Sequence, residues 1–102
     1  MVSADAWPFD QPRNCAVFTT RQILEREQPI LHVTHDSDDH GWQFVSSDAS
    51  EEDAKIIAFE EIVAIDPSVL ELADLPVGWH AWRSSVKETW IREISPDATQ
   101  TI

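Results

Sequence analysis

"ILHVTHDSDDHGWQFVS", residues 30–46, decides how the rest of the chain is read. "ILHVTH" (30–35) and "WQFVS" (42–46) have the β-branched and aromatic content of strands, and the polar "DSDDHG" between them suits the tip of a hairpin. Two strands joined in this way pair antiparallel, so the chain contains a sheet. What joins that sheet follows from the flanks.

On the N-terminal side, "CAVFTT" (15–20) reads as a further strand after a proline-containing arm. "TRQILEREQ" (20–28) offers Thr20 as a helix cap and Ile23 with Leu24 as a short apolar stripe, stopped before Pro29. On the C-terminal side, "SEED" (50–53) has the spacing of a helix start, with Ser50 three residues ahead of Asp53. The following "KIIAF" suits strand or helix, and is assigned as a strand over 55–58. "FEEIVAI" (59–65) and "PSVLELADL" (67–75) look helical, with Pro67 in a first turn and the stop at "LPVG". "GWHAWR" (78–83) and "TWIRE" (89–93) make two last strands around the polar "SSVKE". Strands outnumber helices and their neighbours lie close in sequence. The expectation is an α+β domain with a mainly antiparallel sheet and a few short helices packed on one side. An arm over 1–14, one domain over 15–94 and a tail over 95–102 complete the layout, with no linker or repeat.

The three histidines and three aspartates of 32–40 look at first like a metal or catalytic centre. Side chains of a strand alternate with period two, so His32 and His35, three apart, point to opposite faces. A calcium loop begins well, with Asp36, Asp38 and Gly41 at the first, third and sixth positions of that pattern. It then fails. His40 stands at the fifth position, Ser47 occupies the place of the bidentate Glu, and strands flank it where helices are needed. A solvated hairpin tip is the reading preferred, because Asp bonds its own backbone and Gly tolerates positive φ. No metal or other cofactor is expected.

A chain of 102 residues with 42% hydrophobic content, five tryptophans and four phenylalanines can bury a core unaided. The single Cys15 cannot close a disulfide, and "MVSADAWPFDQPRN" lacks the basic then apolar order of a secretion signal. The cytoplasm is the expected compartment. Apolar stretches such as "KIIAFEEIVAI" are broken by charge well short of the roughly 20 residues of a membrane span.

Charge is unevenly placed. Twelve carboxylates lie between Asp36 and Asp74 against Lys55 alone, while the remainder holds seven acids and six bases. That middle third carries nearly all of the net charge of -12. It would repel phosphate, which argues against a nucleic acid or an anionic membrane and allows a basic protein partner. The same acidity also serves solubility.

Catalytic patterns are scarce. With two glycines in all, and no G-x-S-x-G, H-E-x-x-H or P-loop, phosphate-cradling loops are excluded. Cys15 reads as a small apolar residue rather than a nucleophile, and Glu60 with Glu61 as an exposed helix face. The tryptophans carry more. In "GWHAWR", Trp79, Ala81 and Arg83 share one face while His80 and Trp82 share the other, so one tryptophan is a candidate interface anchor. Trp42, Phe18 and Phe44 are assigned to the core.

"FDQPRNCAVFTTRQIL", "ILHVTHDSDDHGWQFV", "IVAIDPSVLELADLPVGW" and the closing "AWRSS" with "WIRE" together resemble a family of small bacterial proteins of unknown function, related to immunity-protein-like domains. The resemblance runs from about Phe9 to Glu93. Its most specific pieces are Asp39 to Trp42, Asp66-Pro67 and "DLPVGW", none of them catalytic. It implies an α+β fold and, for some relatives, neutralisation of a toxin by binding it.

Two functions from different classes follow. The preferred one is a non-enzymatic binding module whose acidic residues, Glu51, Glu52 and Asp53 among them, meet a basic protein with Trp79 or Trp82 as anchor. The alternative is a small metal-dependent enzyme using His35, Asp36, Asp38, Asp39 and His40, which requires the hairpin tip to converge on a pocket. Neither reading assigns an oligomeric state.

Overall fold

The computed structural model describes residues 7–38, 40–47 and 50–95. Strand β1 (Ala16–Thr20) leads into a single-turn helix α1 (Arg21–Leu24) and the hairpin of β2 (His32–His35) and β3 (Trp42–Val45). A 3-10 turn at Glu51–Asp53 precedes β4 (Ala54–Ala58), helix α2 (Phe59–Ile65) and a 3-10 helix at Pro67–Leu72. Strands β5 (Trp79–Trp82) and β6 (Ile91–Ile94) close the chain. The six strands form one sheet in the order β4-β1-β3-β2-β5-β6. Neighbours run antiparallel except β1 and β3, which run parallel with Phe18 beside Gln43. The architecture is α+β.

Cross-strand register sorts the side chains. Val33 lies between Phe44 and Ala81, and His35 between Trp42 and Trp79, so these residues share a face. Val17 of β1, Ile23 of α1, Phe59 and Ile62 of α2, and Val69 and Leu72 of the 3-10 helix bury themselves with that set. The helices therefore cover one face of the sheet. The arm joins it too: the Phe9 ring sits 4.3 Å from Phe59 and 5.3 Å from Trp42, and Trp7 meets Phe59 edge-on. The folded unit begins before Cys15.

Several sequence expectations need correction. Phe18, assigned to the core with Trp42 and Phe44, is 43% exposed, because its place between Val17 and Thr19 turns it to the opposite face. The helix expected from Thr20 is one turn without a side-chain cap. Its end is marked by Arg26 at a left-handed φ of 61° and by Pro29, which has no N–H to continue it. The segment from Pro67 winds as a 3-10 helix over Pro67–Leu72, opened by Asp66, whose Oδ1 accepts from Ser68 N–H at 3.0 Å and Ser68 Oγ–H at 2.7 Å. Positive φ in the hairpin tip belongs to His40, at 60°, and not to Gly41.

One buried side chain ties distant segments together. Arg83 follows β5, and its Nε and Nη2 both donate to Ile30 O, at 3.2 and 2.9 Å. Nη2 also donates to Asp66 Oδ2 at 2.7 Å and Nη1 to Ser68 Oγ at 3.1 Å. The guanidinium carbon lies 4.0 Å from the centre of the Trp90 ring. Arg83 thus joins the entry to β2, the start of the 3-10 helix, the end of β5 and the approach to β6. Arg83→Ala is expected to cost about 3–5 kcal/mol in urea unfolding, since it strips partners from Asp66 and from the Ile30 carbonyl. Arg83→Lys should recover only part, one ammonium being unable to match the planar fork. A loss below about 1 kcal/mol for the alanine variant would demote the network to a surface contact.

Candidate functional site

With helices on one face, the other face of the sheet carries no helix among the described residues. Phe18 sits there beside Ile56 of β4, and Thr34 lies between Gln43 and His80. His32 lies between Val45 and Trp82, with Ile91 of β6 next to Trp82. Exposure of 63% at Ile56, 43% at Phe18, 45% at Ile91 and 37% at Trp82 leaves apolar surface at both ends of this face.

A polar chain crosses the end near β5. His32 Nε2 and His80 Nδ1 are 2.8 Å apart, so one carries the proton that the other accepts. His80 Nε2 lies 3.6 Å from Glu93 Oε1, which also accepts from Trp82 Nε1–H at 3.1 Å. Partial burial first, and the nearby His80 second, lower the pKa of His32 and favour its neutral form. His32, His80 and Trp82 line a pocket of about 320 Å³ with Ser46, Ser47 and Arg83. Ser46 gives its hydroxyl to Gln28 Oε1, and among the described residues neither serine bonds an imidazole. Among the described residues no three His, Cys, Asp or Glu side chains are grouped to hold a metal.

The end near β4 is acidic. Glu51 and Glu52 are exposed in the 3-10 turn, which Ser50 opens by accepting from Glu52 N–H at 3.4 Å. Glu51 borders a pocket of about 170 Å³ together with Phe18, Gln43 and Val45. Asp53 differs from its neighbours: its carboxylate accepts from Gln22 Nε2 at 2.7 Å and lies 3.7 Å from Arg21 Nε, which fastens the 3-10 turn ahead of β4 to α1.

The two tryptophans part as their alternation requires. Trp79 packs against the core, and Trp82 stands on the open face. The histidine-aspartate run disperses. His35 is buried, stacked 4.0 Å from the Trp42 ring, with Nδ1 at 2.8 Å from Leu75 O. Asp36 accepts from Gln43 Nε2 at 2.7 Å, while Asp38 and His40 are exposed and Asp39 lies outside the described residues. Sequence reasoning missed the His32–His80 pair, 48 residues apart, for which period two supplied the face but nothing supplied the strand neighbour. No helix among the described residues is long and apolar enough to cross a membrane.

Comparison of the chain with protein-family models, curated proteins and solved structures finds no match.

A histidine whose folded pKa is lowered contributes stability that is complete above its ordinary value of 6.5 and is lost as pH falls through the folded value. Chemical unfolding between pH 7 and 5 should therefore show the native chain losing stability relative to His32→Gln. Parallel curves for the two would contradict the neutral His32. At the tip, His40→Gly should raise stability by up to about 1 kcal/mol by removing left-handed strain. Asp38→Ala with His40→Ala should stay within about 1 kcal/mol, as solvated turn positions do.

Proposed function

We propose that this chain is a non-enzymatic protein-binding module that meets a basic protein, in the manner of an immunity-like domain that works by occupying its target. The observation that carries the reading is the open sheet face, where exposed Phe18, Ile56 and Trp82 share a surface with the carboxylates of Glu51 and Glu93. A small domain that leaves large apolar side chains on an uncovered sheet face, rimmed by charge, has the make-up of an interface with a hydrophobic centre and a polar edge.

Chemistry favours binding over catalysis. Of the ionisable groups on this face, Glu93 is engaged by Trp82 and His80, and His32 faces His80. Glu93, His32 and His80 are each held by a neighbour, and none of the three is aimed with a base at a reacting centre. Trp82 offers a rigid apolar plate with its N–H already satisfied, as an anchor requires. The net charge of -12 speeds encounter with a cationic surface.

The test is to capture the partner from native cells with the tagged chain and to measure both rates at low and high salt. Association should slow as salt rises, because exposed charges are screened beyond about 8 Å at physiological ionic strength. Glu51→Lys with Glu52→Lys should slow association, and Asp53 is left intact because it serves the fold. Trp82→Ala should act on dissociation and cost on the order of 2 kcal/mol or more. A partner whose binding ignores salt and tolerates all three changes would sink the reading.

A further inference from the structure

We infer that the partner contributes an extended basic segment that adds to the sheet as a new strand along β4. The inference rests on the protein-binding reading and goes beyond it by naming the edge, the backbone mode and the chemistry of the incoming chain.

Among the described residues strand β4 is one edge of the sheet, paired with β1 alone. Phe59 N–H donates to Cys15 O at 2.8 Å, and hydrogen bonds alternate along an antiparallel ladder. In the register of Ile57 with Val17 and Lys55 with Thr19, those two residues bond inward and Ala54, Ile56 and Ala58 turn their backbone groups to the free edge. Two of the outward N–H groups are already used. Ala54 N–H bonds Glu51 O, and Ala58 N–H bonds the Glu61 carboxylate at 3.1 Å. The Ala58 carbonyl is taken as well, since Ala58 caps α2 and accepts its first intrahelical bond. What the edge offers is the N–H of Ile56 and the carbonyls of Ala54 and Ile56, so an antiparallel strand centred on Ile56 would give two N–H bonds and accept one.

Charge brackets the same edge. In "EEDAKIIAFEE" (51–61), exposed Glu51 and Glu52 precede the strand and exposed Glu60 follows it. An edge rich in acceptors and flanked by carboxylates suits a segment with cationic ends and an apolar middle, the middle covering Ile56 and Phe18. A second copy does not suit it. Two-fold pairing about Ile56 sets Glu51 and Glu52 of one chain against Glu60 and Glu61 of the other, like charge facing like. The opposite edge, β6, is less apt, because Arg92 is engaged by Asp74 Oδ1 and Glu71 O.

The probe is the synthetic peptide KRTVTVTRK, titrated into the isotope-labelled full chain while backbone amide signals are followed. Residues of one parity in an extended strand direct their N–H groups to one side, so N-methylating the threonines and N-methylating the valines block opposite edges. Strand addition predicts shifts centred on Ala54–Ala58, an affinity loss of about tenfold for one methylated peptide, and a change within about twofold for the other. Glu51→Lys with Glu60→Lys should weaken binding, and ETVTVTE should bind poorly. Equal effects of the two methylated peptides, or no binding of KRTVTVTRK, would overturn strand addition. Binding with shifts confined to His80 and Trp82 would overturn it too, while leaving the binding module intact. Failure of that broader reading shows separately, in a captured partner that tolerates Trp82→Ala and high salt.

Discussion

The buried guanidinium of Arg83 is the constraint on which the rest of the fold depends. Removing such a cation from water costs several kcal/mol unless nearly every N–H finds an acceptor. Here Ile30 O, Asp66 Oδ2 and Ser68 Oγ take the donors and the Trp90 ring covers the plane. These acceptors come from segments far apart in the chain, so they are available together in one arrangement of β2, β5 and the 3-10 helix. The main chain repeats the point, Arg83 N–H donating to Leu31 O at 3.0 Å. Register follows from this clamp. A slip of β5 by one residue against β2 would turn His80 and Trp82 inward and expose Trp79 and Ala81.

That dependence explains what could be read in advance. The hairpin, the separation of His32 from His35 and the opposition of Trp79 to Trp82 all follow from period two, a local rule. The fourth strand was readable too, although "AKIIA" is short and lacks clean alternation. Its end at Ala58 coincides with Glu61 reaching back to the Ala58 N–H. Phe18 could not be placed this way, because "CAVFTT" is apolar or β-branched nearly throughout and gives no parity to read. Its direction is set by β1 lying between β4 and β3, one neighbour antiparallel and the other parallel. That is a property of topology. The arm was legible as a segment but its packing was not, for a related reason: Trp7 and Phe9 have a place only once Phe59 and Trp42 are side by side.

Acidity divides along similar lines. Composition counts every carboxylate alike, whereas the fold assigns them different work. Asp66 holds Arg83 and caps the 3-10 helix, and Asp53 links the turn ahead of β4 to α1. Glu61 closes the first turn of α2, and Arg92 beside Asp74 lowers the pKa of that exposed carboxyl. Each of these carboxylates is engaged within the fold, Asp66 and Asp53 partly buried and Asp74 at the surface. Glu51, Glu52 and Glu60 have no ion pair among the described residues and stand at the two ends of an open strand. The middle third is thus acidic for two reasons, and a charge count could not separate them.

The second group bears on how a small sheet tolerates an uncovered face. An edge strand with exposed Ile56 beside exposed Phe18 is a template for pairing with any extended chain, the chain's own copies included. Proteins often blunt such an edge with charge, and β4 carries Lys55 as well as the flanking glutamates. A lone lysine deters a copy of this chain only weakly, since in pairing about Ile56 it faces Ile57 and not a second lysine. The repulsion between the acidic ends does most of the deterring, and that term depends on the sign of what approaches. Reverse the sign, as a cationic segment does, and the charges that oppose self-pairing favour pairing. Discrimination between self and partner at this edge therefore needs no separate device: the same glutamates set both, and Ile56 supplies an apolar contact indifferent to sign.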